Sequence, residues 1–231
     1  MRSLFRLFGM LLLLAPLPAR AQFMDVVSGL FDSVNAIVFY GQVGALTNNE
    51  DIEGTVANLG TAGLGAEVLI DLPSVGNTYF ELGLGTSLTR GFDAAEPSLD
   101  LRGSLRTLPT IAVYASQLGL PDDSPILPYV GAGFGFSELW NARGYTEDGT
   151  IIPVDADTYE FGASAGFYVN AGPFRGFYTE AGYRQRNFES LIWDTDQLPA
   201  GWPRSIDASG FELKVGWQFV IEDSYAEDET E

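Results

Sequence analysis

The sequence predicts an all-β fold: an eight-stranded antiparallel up-and-down transmembrane β-barrel, with short periplasmic turns and longer external loops. Three observations carry this prediction. Eight segments alternate apolar and polar positions, the period of a strand whose side chains point to opposite faces. The connections between them alternate between short and long. The polar face holds acids and bases in equal number, in a chain whose formal net charge is −19. Alternating segments of about ten residues, with lipid outside and a polar lumen inside, are what a membrane barrel requires.

In chain order, Arg2 and Arg6 precede an apolar run from Leu7 to Leu14, and Ala19-Arg20-Ala21 fits a small-x-small cleavage site. Residues 1–21 therefore read as a secretory signal, cut before Gln22. The run is about half the twenty residues a membrane helix needs. Residues 22–35 place Phe23, Val27, Leu30 and Val34 near helical spacing, as a short amphipathic helix or a flexible lead-in. Strands are predicted over residues 36–46, 59–70, 78–89, 99–116, 127–137, 158–170, 175–188 and 208–221. Within the fourth, Pro109 cannot donate a ladder hydrogen bond and marks a bulge or a break. Residues 71–77 and 171–174 are turn-like, whereas 138–157 and 189–207 are predicted as long loops. Residues 222–231 form an acidic tail with the composition of disorder.

Composition excludes several functions. There is no Cys and no His, so neither a disulfide framework nor thiolate chemistry is available, and the usual general base is missing. Three of the 12 basic residues precede position 22, leaving 9 against 31 acids, a formal charge of −22. Such a chain repels nucleic acid and attracts cations. The 27 glycines and 13% aromatic residues suit a β-protein with tight turns.

Alternation alone does not say which face is outside; a soluble barrel would put the apolar set inward. The polar set decides. By parity it contains Glu67, Glu81, Glu160, Glu180 and Glu212 with Arg102, Arg106, Arg184, Arg186 and Lys214. A solvated face would share the acidic bias of the chain, whereas a closed lumen needs its charges paired. The same parity carries many glycines, which make room for long side chains inside a narrow barrel. The apolar parity, such as Leu64, Ala66 and Val68 or Val215, Trp217 and Phe219, carries no charge; a lipid-facing Arg there would cost about 2–4 kcal/mol. Aromatic residues gather toward the strand ends, Tyr129, Tyr168, Tyr178 and Trp217 at one and Trp140, Tyr159, Phe188 and Phe211 at the other, as interfacial belts would.

Pro128-Tyr129-Val130-Gly131-Ala132-Gly133-Phe134-Gly135 and the last segment, Lys214-Val215-Gly216-Trp217-Gln218-Phe219-Val220-Ile221, resemble strands of the small eight-stranded outer-membrane proteins, the OmpA/OmpX/OmpW-like group. The resemblance covers residues 36–221. It implies that Lys214, Gly216, Phe219 and Ile221 form the signal read by the barrel-insertion machinery. Bacterial members usually end on the aromatic residue, whereas this chain adds ten residues after Ile221. It also implies a bacterial outer-membrane location, with outer-membrane lipid and lipopolysaccharide as neighbours.

Without His, a Ser–His nucleophile is excluded, and the lumen carboxylates read as a salt-bridge network. No cofactor is expected. Asp155 with Asp157, and Asp194 with Asp196, are weak candidates for divalent cations at the loops, since two Asp-x-Asp pairs supply oxygen ligands without a full set. Trp140, Tyr145, Trp193 and Trp202 lie among acidic loops, as contact residues for a partner or only for lipopolysaccharide bridged by divalent cations. The expected role is non-enzymatic, in envelope structure or surface interaction. A narrow channel or carrier of small molecules is the alternative, and a lipid-modifying enzyme the third.

Overall fold

A strand that is apolar on one side and polar on the other leaves two faces to satisfy, and this chain satisfies both by closing a ring. A computed structural model describes residues 34–46, 56–58, 60–96, 99–121, 123–146, 148–198 and 202–221. The expected signal sequence, the lead-in up to residue 33 and the acidic tail from residue 222 lie outside the described residues. The last two lead-in residues, Val34 and Asn35, already belong to the first strand.

The strands are β1 (Val34–Leu46), β2 (Val56–Asn58), β3 (Gly60–Val75), β4 (Thr78–Glu96), β5 (Leu99–Ser116), β6 (Ile126–Tyr145), β7 (Ile151–Asp155), β8 (Asp157–Val169), β9 (Phe177–Phe188), β10 (Ile192–Trp193), β11 (Ile206–Asp207) and β12 (Gly210–Val220). Eight of them form the ring β1–β3–β4–β5–β6–β8–β9–β12. Antiparallel pairing of β1 with β12, from Ala36 opposite Val220 to Leu46 opposite Gly210, completes it. The four remaining strands are short additions at the loop end.

At the turn end, β3 and β4 join through Gly76-Asn77, with Gly76 at φ 60°. Residues 117–125 make a longer corner than the other turns there. The Gln117 amide donates to the Pro128 carbonyl (3.0 Å) and its side-chain amide to the Leu120 carbonyl (2.7 Å). At the loop end the ladders run on past the expected boundaries. β4, β5 and β6 have 19, 18 and 20 residues, about twice what crossing a bilayer takes. The expected loop over 138–157 is thus mostly strand: β6 continues to Tyr145 and β7 folds back beside it. Past the apolar band neither face needs to be greasy, so the period-2 signal stops while pairing continues.

Two apolar clusters fill the ends of the ring. Toward the turns, Ala36, Val38, Tyr40, Leu69, Ala112, Tyr114, Tyr129 and Tyr178 pack together, with Tyr168 against them. Toward the loops, a second cluster unites Leu101, Leu105, Leu139, Ala142, Ile152, Val154, Phe188, Trp193, Trp202 and Ile206. Tyr129, Tyr168, Tyr178 and Phe188, expected in lipid-facing belts, are therefore interior. Tyr129 shares the inward parity of Gly131 and Gly133, and Phe188 that of Arg184 and Arg186; position along a strand does not reveal the face. Trp193 and Trp202, expected as contact residues, are buried against each other (4.6 Å between ring centroids), and the Trp193 indole donates to the Pro203 carbonyl. Outward aromatic pairs do exist, among them Phe136–Tyr159, Phe177–Trp217 and Tyr183–Phe211.

Candidate functional site

The middle layer of the barrel, between the two apolar clusters, is where charge collects. Period 2 on β9 aims Glu180, Gly182, Arg184 and Arg186 inward; on β12 it aims Glu212, Lys214 and Gly216 the same way. Register then sets opposite charges side by side: Glu180 faces Lys214 on β12, and Arg186 faces Glu160 on β8. Arg184 lies opposite Gly162 and Gly210, so its side chain has space to cross the lumen.

The contacts are direct. Lys214 Nζ lies 2.8 Å from Glu180 Oε1, and the ammonium also sits 4.9 Å from the centre of the Tyr40 ring. Arg186 joins two carboxylates, with Nε 2.5 Å from Glu160 Oε2 and Nη2 2.5 Å from Glu212 Oε1. Arg184 Nε lies 3.7 Å from the other Glu212 oxygen. Glu160, 2% exposed, also accepts from Ser137 Oγ (2.6 Å) and Thr107 Oγ1 (3.2 Å). Glu180 accepts from the Tyr129 hydroxyl (3.1 Å). Three acids meet three bases here, and hydroxyls fill the remaining lone pairs, which is what a buried ion network needs in order to be tolerated.

Glu67 and Glu81 are inside too, but with no ion pair among the described residues. The Tyr114 hydroxyl donates to Glu67 (3.0 Å to Oε1). The Asn35 amide reaches both Glu81 (3.3 Å) and Asp71, acids that face each other across β3 and β4. Arg102 and Arg106, expected in the lumen, lie outside it. Register shifts between Thr107 and Thr110; this bulge around Pro109 turns Thr107, Leu105 and Leu101 inward and Arg106 and Arg102 outward. A one-residue slip exchanges the faces of a strand. Arg106 pairs with Glu138 instead, and Arg102 lies over the Tyr145 ring (5.4 Å). The interior thus holds five acids and three bases among the described residues, not the even balance expected.

Little space remains. The charged layer encloses a cavity of about 10 Å³, lined by Tyr40, Glu67, Tyr114, Arg184, Glu212 and Lys214 among others, about the room one water needs. Below it the tyrosines close ranks: Tyr129 stacks on Tyr168 at 4.5 Å and meets Tyr114 edge-on at 5.7 Å. An open cleft of about 450 Å³ lies beneath, at the turn end, beside Glu81, Tyr168, Arg175 and Gln218.

Lys214 and Gly216, two residues of the expected assembly signal, face inward. A Cβ on Gly216 would run into Tyr40 and Tyr178. Phe219 and Ile221 are exposed on the outside. Asp155, Asp157, Asp194 and Asp196 are exposed, and no group of three or more acidic side chains among the described residues is gathered as metal ligands would be. In the hairpin between β6 and β7, Thr150 N–H donates to Asp148 Oδ1 (3.1 Å). The Thr146 hydroxyl and the Thr150 amide hold the Asp148 carboxyl below the ordinary aspartate range.

No known family model and no curated protein matches the chain. Among solved structures it is similar to Neisserial surface protein A, at 14% identity and TM-score 0.41, over 80% of this chain and 97% of that one. It is also similar to Ail, the attachment invasion locus protein of Yersinia pestis, at 11% identity and TM-score 0.45, over 81% and 99%. A third likeness is to the outer membrane protease OmpT of Escherichia coli, at 9% identity and TM-score 0.39, over 82% and 95%. The chain is an eight-stranded antiparallel β-barrel. That assignment rests on the closed ring of ladders, with or without these likenesses.

Proposed function

We propose that the protein is a bacterial outer-membrane β-barrel with a closed lumen, acting in envelope structure or surface interaction and performing no chemistry. The observation that carries this reading is the inversion of the two faces. Phe39, Leu64, Phe161, Phe211 and Phe219 stand exposed on the outside, Leu64 by 72%, while Glu160, Arg184, Arg186 and Lys214 are buried. A soluble monomer rarely exposes a continuous apolar patch beyond a few hundred Å²; hydrocarbon makes the same surface favourable.

The filled interior supports a structural barrel over a channel or carrier, since a 10 Å³ space admits no solute. The non-enzymatic reading is supported by a sequence without His and by lumen carboxylates already engaged by cations, hydroxyls or an amide. On this reading residues 1–21 direct export, and the insertion machinery recognises Lys214, Gly216, Phe219 and Ile221.

The test is membrane fractionation, a gel comparing boiled with unboiled samples, and planar-bilayer recording. The protein is expected in the outer-membrane fraction, with a heat-dependent change in mobility and no discrete conductance. Recovery as a freely soluble protein without detergent overturns the membrane reading. A reproducible conductance step overturns the closed lumen.

A further inference from the structure

Glu160, Glu180 and Glu212 each meet a cation in the lumen. Glu67 has the Tyr114 hydroxyl and is sealed beside the 10 Å³ cavity. Glu81 differs from all four. It is 7% exposed, makes no ion pair among the described residues, and lines the open 450 Å³ cleft at the turn end. Its donor is the Asn35 amide, at 3.3 Å, which also serves Asp71. Asn35 Oδ1 is itself buried without a donor. Acceptors therefore outnumber donors on this wall of the mouth, and a carboxylate taken out of water without a counter-ion is costly.

The facing wall carries the reverse. Arg175 lines the same cleft and makes no ion pair among the described residues. Glu81 is on β4 and Arg175 leads into β9; in the ring these strands are four apart by either route, so the two side chains come from opposite walls. Backbone hydrogen bonds hold the Arg175 turn in place. Arg175 N–H donates to the Gly172 carbonyl (3.2 Å), Gly176 N–H to the Val169 carbonyl (2.9 Å), and Gln218 N–H to the Gly176 carbonyl (2.7 Å). Gly176 has φ 90°, and a Cβ there would stand 2.5 Å from the Gln218 carbonyl, so this close approach of the turn to β12 requires glycine. Between the two charges the cleft offers the polar side chains of Tyr168 and Gln218 and the aliphatic ones of Leu127 and Val169. Its volume lies within the range of about 300–1,000 Å³ that small-ligand pockets occupy.

We propose that the turn-end mouth of the barrel binds a short peptide with both ends free, its ammonium against Glu81 and its carboxylate on Arg175. That this mouth opens to the periplasm, where such peptides would reach it, rests on the outer-membrane reading above. An ammonium brings three donors to the wall that lacks them, and the guanidinium fork matches a carboxylate in pairs. The charges stand on opposite walls, so the ligand must carry its own some distance apart. A single α-amino acid, with both charges on one carbon, does not span the mouth; a peptide does.

The test uses the full chain folded in a non-ionic detergent, so that no detergent headgroup competes, and isothermal titration calorimetry with dialanine as the probe. Alanine, N-acetyl-dialanine and dialanine amide are compared with it. The wild type is expected to bind dialanine, and each of the other three about tenfold more weakly. Glu81→Gln is expected to stop distinguishing dialanine from its acetylated form while still rejecting the amide. Arg175→Gln is expected to do the reverse, and Arg204→Gln, which removes a charge at the loop end, to behave as the wild type. The heat-dependent gel shift reports folding of each variant, and exposed Arg175 keeps the test decisive should Glu81→Gln not fold. No binding of dialanine at millimolar concentration, equal affinity for alanine or for either blocked form, or unchanged rejection of the amide by Arg175→Gln each overturns the site and leaves the membrane reading standing. A wild-type chain without the gel shift overturns the membrane reading itself, and the periplasmic ligand with it.

Discussion

Removing the Glu180 carboxylate would leave the Lys214 ammonium, 2.8 Å away, charged in a space with almost no water. Breaking one member of a buried pair costs about 3–5 kcal/mol, so Glu180→Ala is expected to lower the unfolding free energy of the detergent-folded protein by that much, read as an earlier urea midpoint. Replacing both partners, Glu180→Ala with Lys214→Met, is expected to cost less, because no uncompensated ion remains. An unchanged midpoint in the single variant would show that the network contributes nothing. Asp148 makes a pH statement of opposite location, at the surface of a loop-end hairpin. Its carboxyl is held below its ordinary value of 3.8 by the Thr146 hydroxyl and Thr150 amide. A depressed carboxyl contributes stability above its unfolded pKa and loses it as pH falls through the folded one. The Thr150 amide signal in an NMR titration is therefore expected to move as pH falls, with a midpoint below 3.8. A midpoint at or above 3.8 would reject the hairpin hydrogen bonds. At this scale parity reached Glu160, Glu180, Arg184, Arg186, Glu212 and Lys214 from the sequence alone. It failed at Arg102 and Arg106, because a bulge around Pro109 changes parity without changing composition.

Within the strands, glycines face the largest interior side chains. A Cβ on Gly131 would stand 2.5 and 2.7 Å from Tyr114 ring carbons. Gly131→Val is expected to destabilise by about 1–3 kcal/mol, the usual cost of overfilling a packed interior. Gly41→Ala is the control: its Cβ would meet only the Val215 carbonyl, at 3.9 Å, so its unfolding free energy is expected to stay within about 0.5 kcal/mol of the wild type. Equal losses from both would mean that strand propensity, not tyrosine packing, sets the requirement for glycine. Strand centres were legible because the apolar band imposes alternation; β5 was bounded correctly at both ends. The loop-end extensions of β4 and β6 were not, since beyond the band only pairing with a neighbour holds them, and pairing leaves no hydropathy signature. Trp193 and Trp202 were misread for a related reason: a loop that folds over the ring makes a small core of its own, and the sequence shows aromatic residues without showing what covers them.

Taken whole, the molecule is three layers inside one ring: tyrosines toward the turns, ions in the middle, aliphatic and tryptophan packing toward the loops. Composition and period gave the ring and its charged centre. They could not give the layering, which depends on register between strands far apart in sequence. The pairing of Ala36 with Val220 has a consequence for biogenesis. The opening strand has no partner on one side until the final one arrives, so the ring stays open until nearly the whole chain has been delivered. Such long-range contacts are slow to form, and every waiting intermediate carries two unpaired margins able to capture a neighbour's backbone. The chain must therefore be shielded in transit, and β12 acts as the latch.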